Sequence, residues 1–183
     1  PLERPNSSFQ ELCLNTDALH PIIINNANLA KEIILALLIN EPIKSRDRYG
    51  HISHMDSGLY LKSFVWSPPM YFNGPILFFL NNNFEIGLEL IVTLINFVTD
   101  RWIEDEKKMW HNPTYLFINH KGYNRKWFGD DQFYYAFRDT NIFPDVAASV
   151  LMSLEKWFYD NISDSNKINK AIDYIFRHSN SLA

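Results

Sequence analysis

Cysteine is almost absent from the chain: Cys13 is the single one among 183 residues. An internal disulfide is therefore excluded, and such cysteine usage is typical of the reducing cytoplasm. A catalytic nucleophile is the functional interpretation of Cys13. Its place on one helical face with Phe9 and Leu12 favours a small buried hydrophobe instead. We predict a cytoplasmic protein in which Cys13 has a packing role.

Glycine is also scarce, and no two of the six glycines lie close enough to build a phosphate-binding loop. The sequence contains no G-x-x-x-x-G-K-[ST] pattern, no dinucleotide-binding fingerprint and no G-x-S-x-G nucleophile elbow. We therefore expect no catalytic residue and no cofactor in this segment, and we predict that it is not itself an enzyme. The glycines are Gly50, Gly58, Gly74, Gly87, Gly122 and Gly129.

The chain has no excess of positive charge: it contains 17 basic and 21 acidic residues, and its formal net charge is −4. This balance argues against nucleic acid or an anionic membrane as partner. No apolar run reaches the ~20 residues of a membrane helix, and the polar start has no signal peptide. The chain begins at Pro1 rather than Met, and we expect a fragment of a larger protein.

Hydrophobic residues make up 46% of the chain and aromatic residues 15%, which is enough for a substantial core. The longest helical pattern runs from Asn83 to Trp110, with apolar residues at steps of three and four. An asparagine of the 81–83 run is expected to cap it. The first half is apolar on most sides and the second half is charged, so a buried half leads into a solvated half.

Shorter helices are predicted on both sides of this central one. β-branched residues in 20–26 favour a strand, whereas the repeat described below favours a helix there. The polar composition of 43–69, with Gly50 and Gly58, predicts a loop. The expected helices cover 9–14, 20–25, 29–40, 71–80, 132–138, 144–159 and 167–177.

Thr114–Phe128 is the one predicted β element. The β-branched and aromatic run 114–118, a turn at 119–122 and the run 123–128 together predict a β-hairpin. Alternation places Tyr115 and Phe117 on one side of their strand and Leu116 and Ile118 on the other. Because both sides are apolar, we expect one side to pack on the helix at 132 or on the central helix. The other side would meet the rest of a parent chain or a protein partner.

Three helices share one register of a small residue, two variable residues, three apolar residues, a small residue and a leucine. The copies are Ala30–Leu37, Gly87–Leu94 and Ala147–Leu154. Each follows a shorter apolar helix, so we predict a mainly α fold, an irregular α-solenoid-like helix-pair repeat with the hairpin inserted. The predicted units are 19–41, 69–110 and 130–160. Small residues at both ends of the register would let a neighbouring helix approach closely.

Two clusters offer chemistry. His51, His54 and Asp56 could form a facial metal site, although Gly50 and Gly58 disfavour a helix there and no further ligand is evident. A polar loop is the plainer interpretation, and we predict no metal site.

The second cluster lies in the hairpin, where Lys121, Arg125 and Lys126 stand near aromatic rings, a combination suited to single-stranded nucleic acid. The negative net charge favours an ordinary packing hairpin instead. The aromatic residues of the hairpin are the candidate interface residues: Tyr115, Phe117, Tyr123 and Trp127.

The stretch from Trp127 to Trp157 resembles the helical middle region of very large bacterial STAND-type ATPases, the group that includes the Avs antiviral-defence proteins. The similar residues are Trp127–Gly129, Tyr134–Arg138, Ala147–Trp157 and the GLELIVTLIN core of Phe84–Trp102. Residues 179–183 look like the start of that group's next helix. In that group the ATPase residues lie in a separate domain, so the resemblance implies no nucleotide site here. It implies a scaffold or relay between an ATPase core and a sensing region.

Three functions follow from these patterns. The first is a non-enzymatic scaffold or relay segment of a large cytoplasmic ATP-dependent protein of antiviral-defence type. The second is a small metal-dependent hydrolase using His51, His54 and Asp56. The third is a nucleic-acid-binding module acting through the 114–128 hairpin.

Overall fold

The structure is a computed structural model that describes residues 7–15, 17–39, 59, 66, 68–108, 112–130 and 145–182. Within these ranges the chain is mainly α with one inserted two-stranded β-hairpin, as predicted. The helices are α1 (Ser7–Asn15), α2 (His20–Asn25), α3 (Ala27–Leu38), α4 (Ile76–Asn82), α5 (Phe84–Lys108), α6 (Asp145–Asp160) and α7 (Ser165–His178). The strands are β1 (Tyr115–His120) and β2 (Tyr123–Phe128).

Most helix bounds lie within a few residues of the prediction, and α4 differs most. The expected helix at 71–80 is replaced by turns over 71–75, and α4 begins only at Ile76. Gly74 has a φ of +71°, which an α-helix cannot contain, and Pro75 then occupies the N-cap. The expected helix at 132–138 and most of the expected loop at 43–69 lie outside the described residues.

Two helix pairs meet at the same kind of junction. A single asparagine separates α2 from α3 and α4 from α5: Asn26 has φ −152° and ψ 79°, and Asn83 has φ −142° and ψ 71°. Each asparagine donates its backbone N–H to the preceding helix and accepts from the following one with its carbonyl. The side chain of Asn26 caps α3 by accepting from the Leu29 N–H, whereas the Asn83 amide donates to the Ile23 carbonyl at 2.7 Å.

The core surrounds α5, which packs against α3, α4, α6 and α7. Its first half is buried on most sides, and Leu88, Leu90 and Leu94 are almost fully enclosed. Lys31 on α3 pairs with Glu89 on α5 at 2.8 Å. The packing explains why the predicted apolar half of this helix is so broad: neighbours cover it from several directions.

The small residues of the repeated register behave differently at its two ends. The first small residue is buried in all three copies: Ala30, Gly87 and Ala147. The second is exposed at Ala36 and buried at Ser153, where the hydroxyl donates to the Tyr71 carbonyl at 2.8 Å. The expectation of close approach at both ends is therefore wrong for α3, because Ala36 lies on its exposed side. Within the described ranges, no helix is long and apolar enough to cross a membrane.

Candidate interaction surface on the hairpin

The hairpin is a regular antiparallel pair closed by a two-residue turn. Lys121 and Gly122 both have positive φ, +49° and +84°, which is the pattern of a type I′ turn. The register pairs Tyr115 with Phe128, Leu116 with Trp127 and Phe117 with Lys126. Because side chains alternate along a strand, Tyr115 and Phe117 lie on the opposite face from Leu116 and Ile118, as predicted. Each of these residues shares its face with the residue directly opposite it on β2.

One face of the hairpin is bound to α7 through a charged contact at the turn. Asp173 accepts hydrogen bonds from Lys121 Nζ at 2.7 and 2.8 Å, and its Oδ1 lies 2.7 Å from His120 Nε2. These hydrogen bonds, with Lys121 contributing most, lower the pKa of Asp173 to about 2. The carboxylate is therefore ionised at neutral pH and attaches His120 and Lys121 to the helix.

Aromatic packing extends the same contact along α7. The Phe176 ring stacks on His120 at 4.4 Å and meets Trp127 at 5.3 Å between ring centroids. Arg177 lies over the Tyr123 ring at 4.9 Å and accepts a hydrogen bond from Arg125 with its carbonyl. This face, which we call the inner face, therefore packs on α7. Of the two expected neighbours, the helix at 132 lies outside the described residues.

The C-terminal segment 179–182 fixes the end of β2. Phe128 donates to the Asn180 carbonyl at 2.7 Å and accepts from the Leu182 N–H at 2.9 Å, which forms a parallel bridge to Ser181. Asn180 is tied in turn to α5, since its N–H donates to Asn96 and its side-chain amide to Asp100, both at 2.9 Å. The expectation that a helix starts at 179 is wrong for 179–182, because these residues extend along β2.

The opposite face, the outer face, is exposed along β1 at Tyr115, Phe117 and Asn119, whereas Phe128 at its end packs on the core. The relative exposure is 42% for Tyr115 and 63% for Phe117, and their rings meet edge to face at 5.4 Å. Lys126 places its ammonium group 4.3 Å from the centre of the Tyr115 ring. The outer face is thus a small aromatic patch with a cation lying over it, the type of surface often found at protein contacts.

β1 is also a free sheet edge within the described residues. Gly129 donates to the Thr114 carbonyl, so these two form a hydrogen-bonded pair one step before β1. Alternation along an antiparallel ladder then turns the N–H and C=O groups of Tyr115, Phe117 and Asn119 away from β2. A free edge beside exposed aromatic rings can accept another strand.

The four candidate interface residues are divided between the two faces. Tyr115 and Phe117 are exposed on the outer face. Trp127 is 8% exposed and packs against α7, so it is part of the anchor rather than of the surface. Tyr123 is half-exposed beneath Arg177 at the tip. The nucleic-acid hypothesis needs the rings of Tyr123 and Trp127 for base stacking. Because Trp127 is buried, only the Tyr123 ring remains accessible.

The metal hypothesis concerns residues that the structure does not describe, since His51, His54 and Asp56 all lie in the 40–58 gap. Among the described residues, no group of three or more potential metal-ligating side chains comes together. Cys13 is buried, and burial raises the pKa of its thiol, which disfavours the reactive thiolate.

Three residues of α7 were missed by sequence reasoning: Asp173, Phe176 and Arg177. All three contact the hairpin, and their spacing of three and four places them on one helical face. The sequence did contain a signal for this face: Asp173, together with Phe176 and Arg177, interrupts the apolar pattern of the helix. The sequence offered no means of pairing that face with the hairpin rather than with solvent.

Acid is expected to weaken the contact between the turn and α7. The pKa of Asp173 is lowered to about 2 in the folded protein, against about 4 for an unfolded chain. Because the folded value is the lower one, the stabilisation is complete above about pH 4 and is lost as the pH falls towards about 2. In urea denaturation, the midpoint difference between the native protein and Asp173→Asn should shrink over that range.

A double-mutant comparison checks the source of this effect. Lys121→Gln should lower the midpoint at neutral pH in the native background and have little effect in the Asp173→Asn background. A midpoint difference that stays constant from neutral to acid pH would contradict the assignment.

A scan against protein-family models and a search of the curated proteins both found no match to the chain.

Proposed function

We propose that this chain is a non-enzymatic helical scaffold or relay segment that presents the hairpin to another protein surface. The main support is the contrast between the two faces of the hairpin. Its inner face is bound to α7 by the Lys121–Asp173 ion pair, hydrogen bonds and stacked rings. Its outer face has Tyr115 and Phe117 exposed beside a free strand edge.

The attachment of the hairpin gives a physical route for a relay. The hairpin contacts α7 directly, and β2 is tied to α5 through the 179–182 segment. α5 in turn packs against α3, α4 and α6. A force or contact on the outer face would therefore reach the central helix through a continuous set of packed side chains and hydrogen bonds.

The wider context that we propose is a large cytoplasmic ATP-dependent protein of antiviral-defence type. It draws support from the resemblance of the segments around Trp127 and Ala147 to the helical middle region of STAND-type ATPases. The shared Asn26 and Asn83 junctions agree with a helix-pair repeat of the kind such a region contains. The hairpin would contact the rest of the parent chain or a protein partner, with no membrane and no nucleic acid involved.

The natural reading frame is the first test. We expect it to continue beyond this segment and to encode a P-loop ATPase domain in the same polypeptide. A natural frame of about 180 residues that starts near Pro1, the size of one ordinary domain, would overturn the proposed parent.

Hydrogen exchange is the second test, and it addresses the surface itself. The full-length protein is compared with the isolated chain, which is kept at a concentration low enough to be monomeric. We expect the outward amides of β1 to exchange more slowly in the full-length protein, because a docked strand or face would cover them. The buried part of α5 serves as the internal reference. Equal exchange at β1 in both proteins would overturn the docking role.

A further inference from the structure

β1 contains no lysine, arginine, aspartate or glutamate. Residues 112–119 contain no Asp, Glu, Lys or Arg. The arginine and the lysine of the two strands, Arg125 and Lys126, both belong to β2. Natural proteins usually protect a free edge with a lysine, an inward-pointing charge or a proline inside the strand. β1 has none of these, and it combines high β-propensity with exposed apolar side chains.

The exposed side chains lie on both faces of β1. Tyr115 and Phe117 are exposed on the outer face, and Leu116 is 55% exposed on the inner face. The inner face therefore leaves space beside β1 at Leu116, beyond the part of the hairpin that α7 covers. A strand added at this edge would find apolar partners above and below the sheet.

We infer that the β1 edge pairs antiparallel with the β1 edge of a second copy of this chain. This inference rests on the proposed role of the hairpin as an interaction surface and names its partner. A two-fold register centred on Phe117 brings the outward backbone groups of Tyr115, Phe117 and Asn119 opposite those of Asn119, Phe117 and Tyr115 of the second copy. Such a ladder contains about six hydrogen bonds between the chains.

The side chains are self-complementary in this register. The two Phe117 rings become neighbours on the outer face, and each Leu116 lies beside the Ile118 of the second copy on the other face. The two copies of β2 stand about 14 Å apart, three strand spacings. That distance exceeds the Debye length of about 8 Å at physiological salt, so repulsion between their cations is largely screened.

An acidic strand fits this edge less well. The cation nearest to β1 on the outer face is Lys126, and its ammonium group lies over the Tyr115 ring rather than at the edge. No lysine or arginine on β1 itself would select an acidic residue. A neutral edge favours a neutral strand, and β1 of a second copy is such a strand.

Sedimentation of the isolated chain tests the inference. We expect a monomer–dimer equilibrium between about 1 and 100 µM, as befits a small interface. Phe117→Lys should weaken dimerisation at least about tenfold, because it places two like charges side by side at the centre of the ladder. Asn124→Lys is the matched control: it adds the same charge to the same face, on β2, and should leave the dimer unchanged.

Cross-linking tests the register. When Tyr115→Cys and Asn119→Cys chains are mixed and oxidised, a disulfide should join the two variants, because opposed residues of a hydrogen-bonded pair have Cα atoms about 5.5 Å apart. Each variant alone should cross-link far less, since its two copies lie four residues apart along the ladder. Cys13 is buried and needs no substitution.

Two outcomes overturn the inference. One is a folded chain that stays monomeric over the whole concentration range. The other is a dimer that Phe117→Lys does not weaken, which would place the interface elsewhere. Circular dichroism confirms that Phe117→Lys still folds, as expected at so exposed a position. None of these results depends on the reading frame or on exchange in the full-length protein, so this inference and the proposed function fail separately.

Discussion

Leu94→Ala is expected to lower the free energy of unfolding by about 2–5 kcal/mol. Leu94 is fully buried in the part of α5 that other helices enclose. Removing its side chain forfeits the transfer free energy of the lost carbons and leaves a cavity. The cavity closes poorly, because α5 is held on several sides by α3, α4, α6 and α7. Urea denaturation followed by circular dichroism measures the change.

Leu29→Ala is the matched control for this substitution. It removes the same atoms from a helix, but Leu29 is 48% exposed on α3. We expect a change within about 0.5 kcal/mol, as for most surface substitutions. Equal losses at both positions would show that α5 is not the centre of the core.

Gly87→Leu is expected to cost on the order of 1–3 kcal/mol through overpacking. A Cβ at Gly87 would stand 3.1 Å from the backbone nitrogen of Leu80 and 3.2 Å from its Cα, as well as 3.1 Å from the Phe79 ring. Two of these three atoms belong to the α4 backbone, which cannot turn aside as a flexible side chain can. The larger leucine would therefore push α4 away from α5.

Gly87→Ala separates this explanation from helix propensity. In an open helix the change would stabilise by about 1 kcal/mol. We expect no such gain here, because the added Cβ meets the α4 backbone at tight contact distance. A measured gain close to the full propensity value would show that α4 does not restrict this position, and would contradict the close approach.

The equivalent residue in the first helix pair is Ala30, which is fully buried and already has a Cβ. The two pairs share their junction geometry, yet the first contains an alanine Cβ at the position where the second contains a glycine beside the α4 backbone. A Cβ is therefore accommodated at Ala30 and crowded at Gly87, a difference that a register of small residues cannot reveal.

Local rules account for much of the fold. The apolar period predicts α5, because side chains three and four residues apart share a helical face whatever surrounds them. The turn predicted at 119–122 and the flanking β-branched and aromatic residues predict the hairpin and its alternation. In the structure the turn is narrower, because β1 extends to His120. Both features depend on residues close in sequence, and the structure confirms them.

The start of α4 was only partly readable. Gly74 and Pro75 can be recognised in the sequence as turn residues. The sequence does not show that the backbone of Gly74, with its positive φ, lies directly against the buried Trp66 ring. A helix beginning at Tyr71 has no local fault except at these two positions. The distant packing of Trp66 decides between a helix and a turn.

Most of the helices, the hairpin and the alternation of its two apolar faces could be predicted from the sequence, because they depend on neighbours along the chain. Which face is covered depends on contacts between distant parts of the chain. Asp173, Phe176 and Arg177 lie about fifty residues beyond the hairpin and select its inner face through charge and ring contacts. The burial of Trp127 and the exposure of Tyr115 and Phe117 follow from that choice. Alternation makes two faces available, and only a long-range contact assigns one of them to the core.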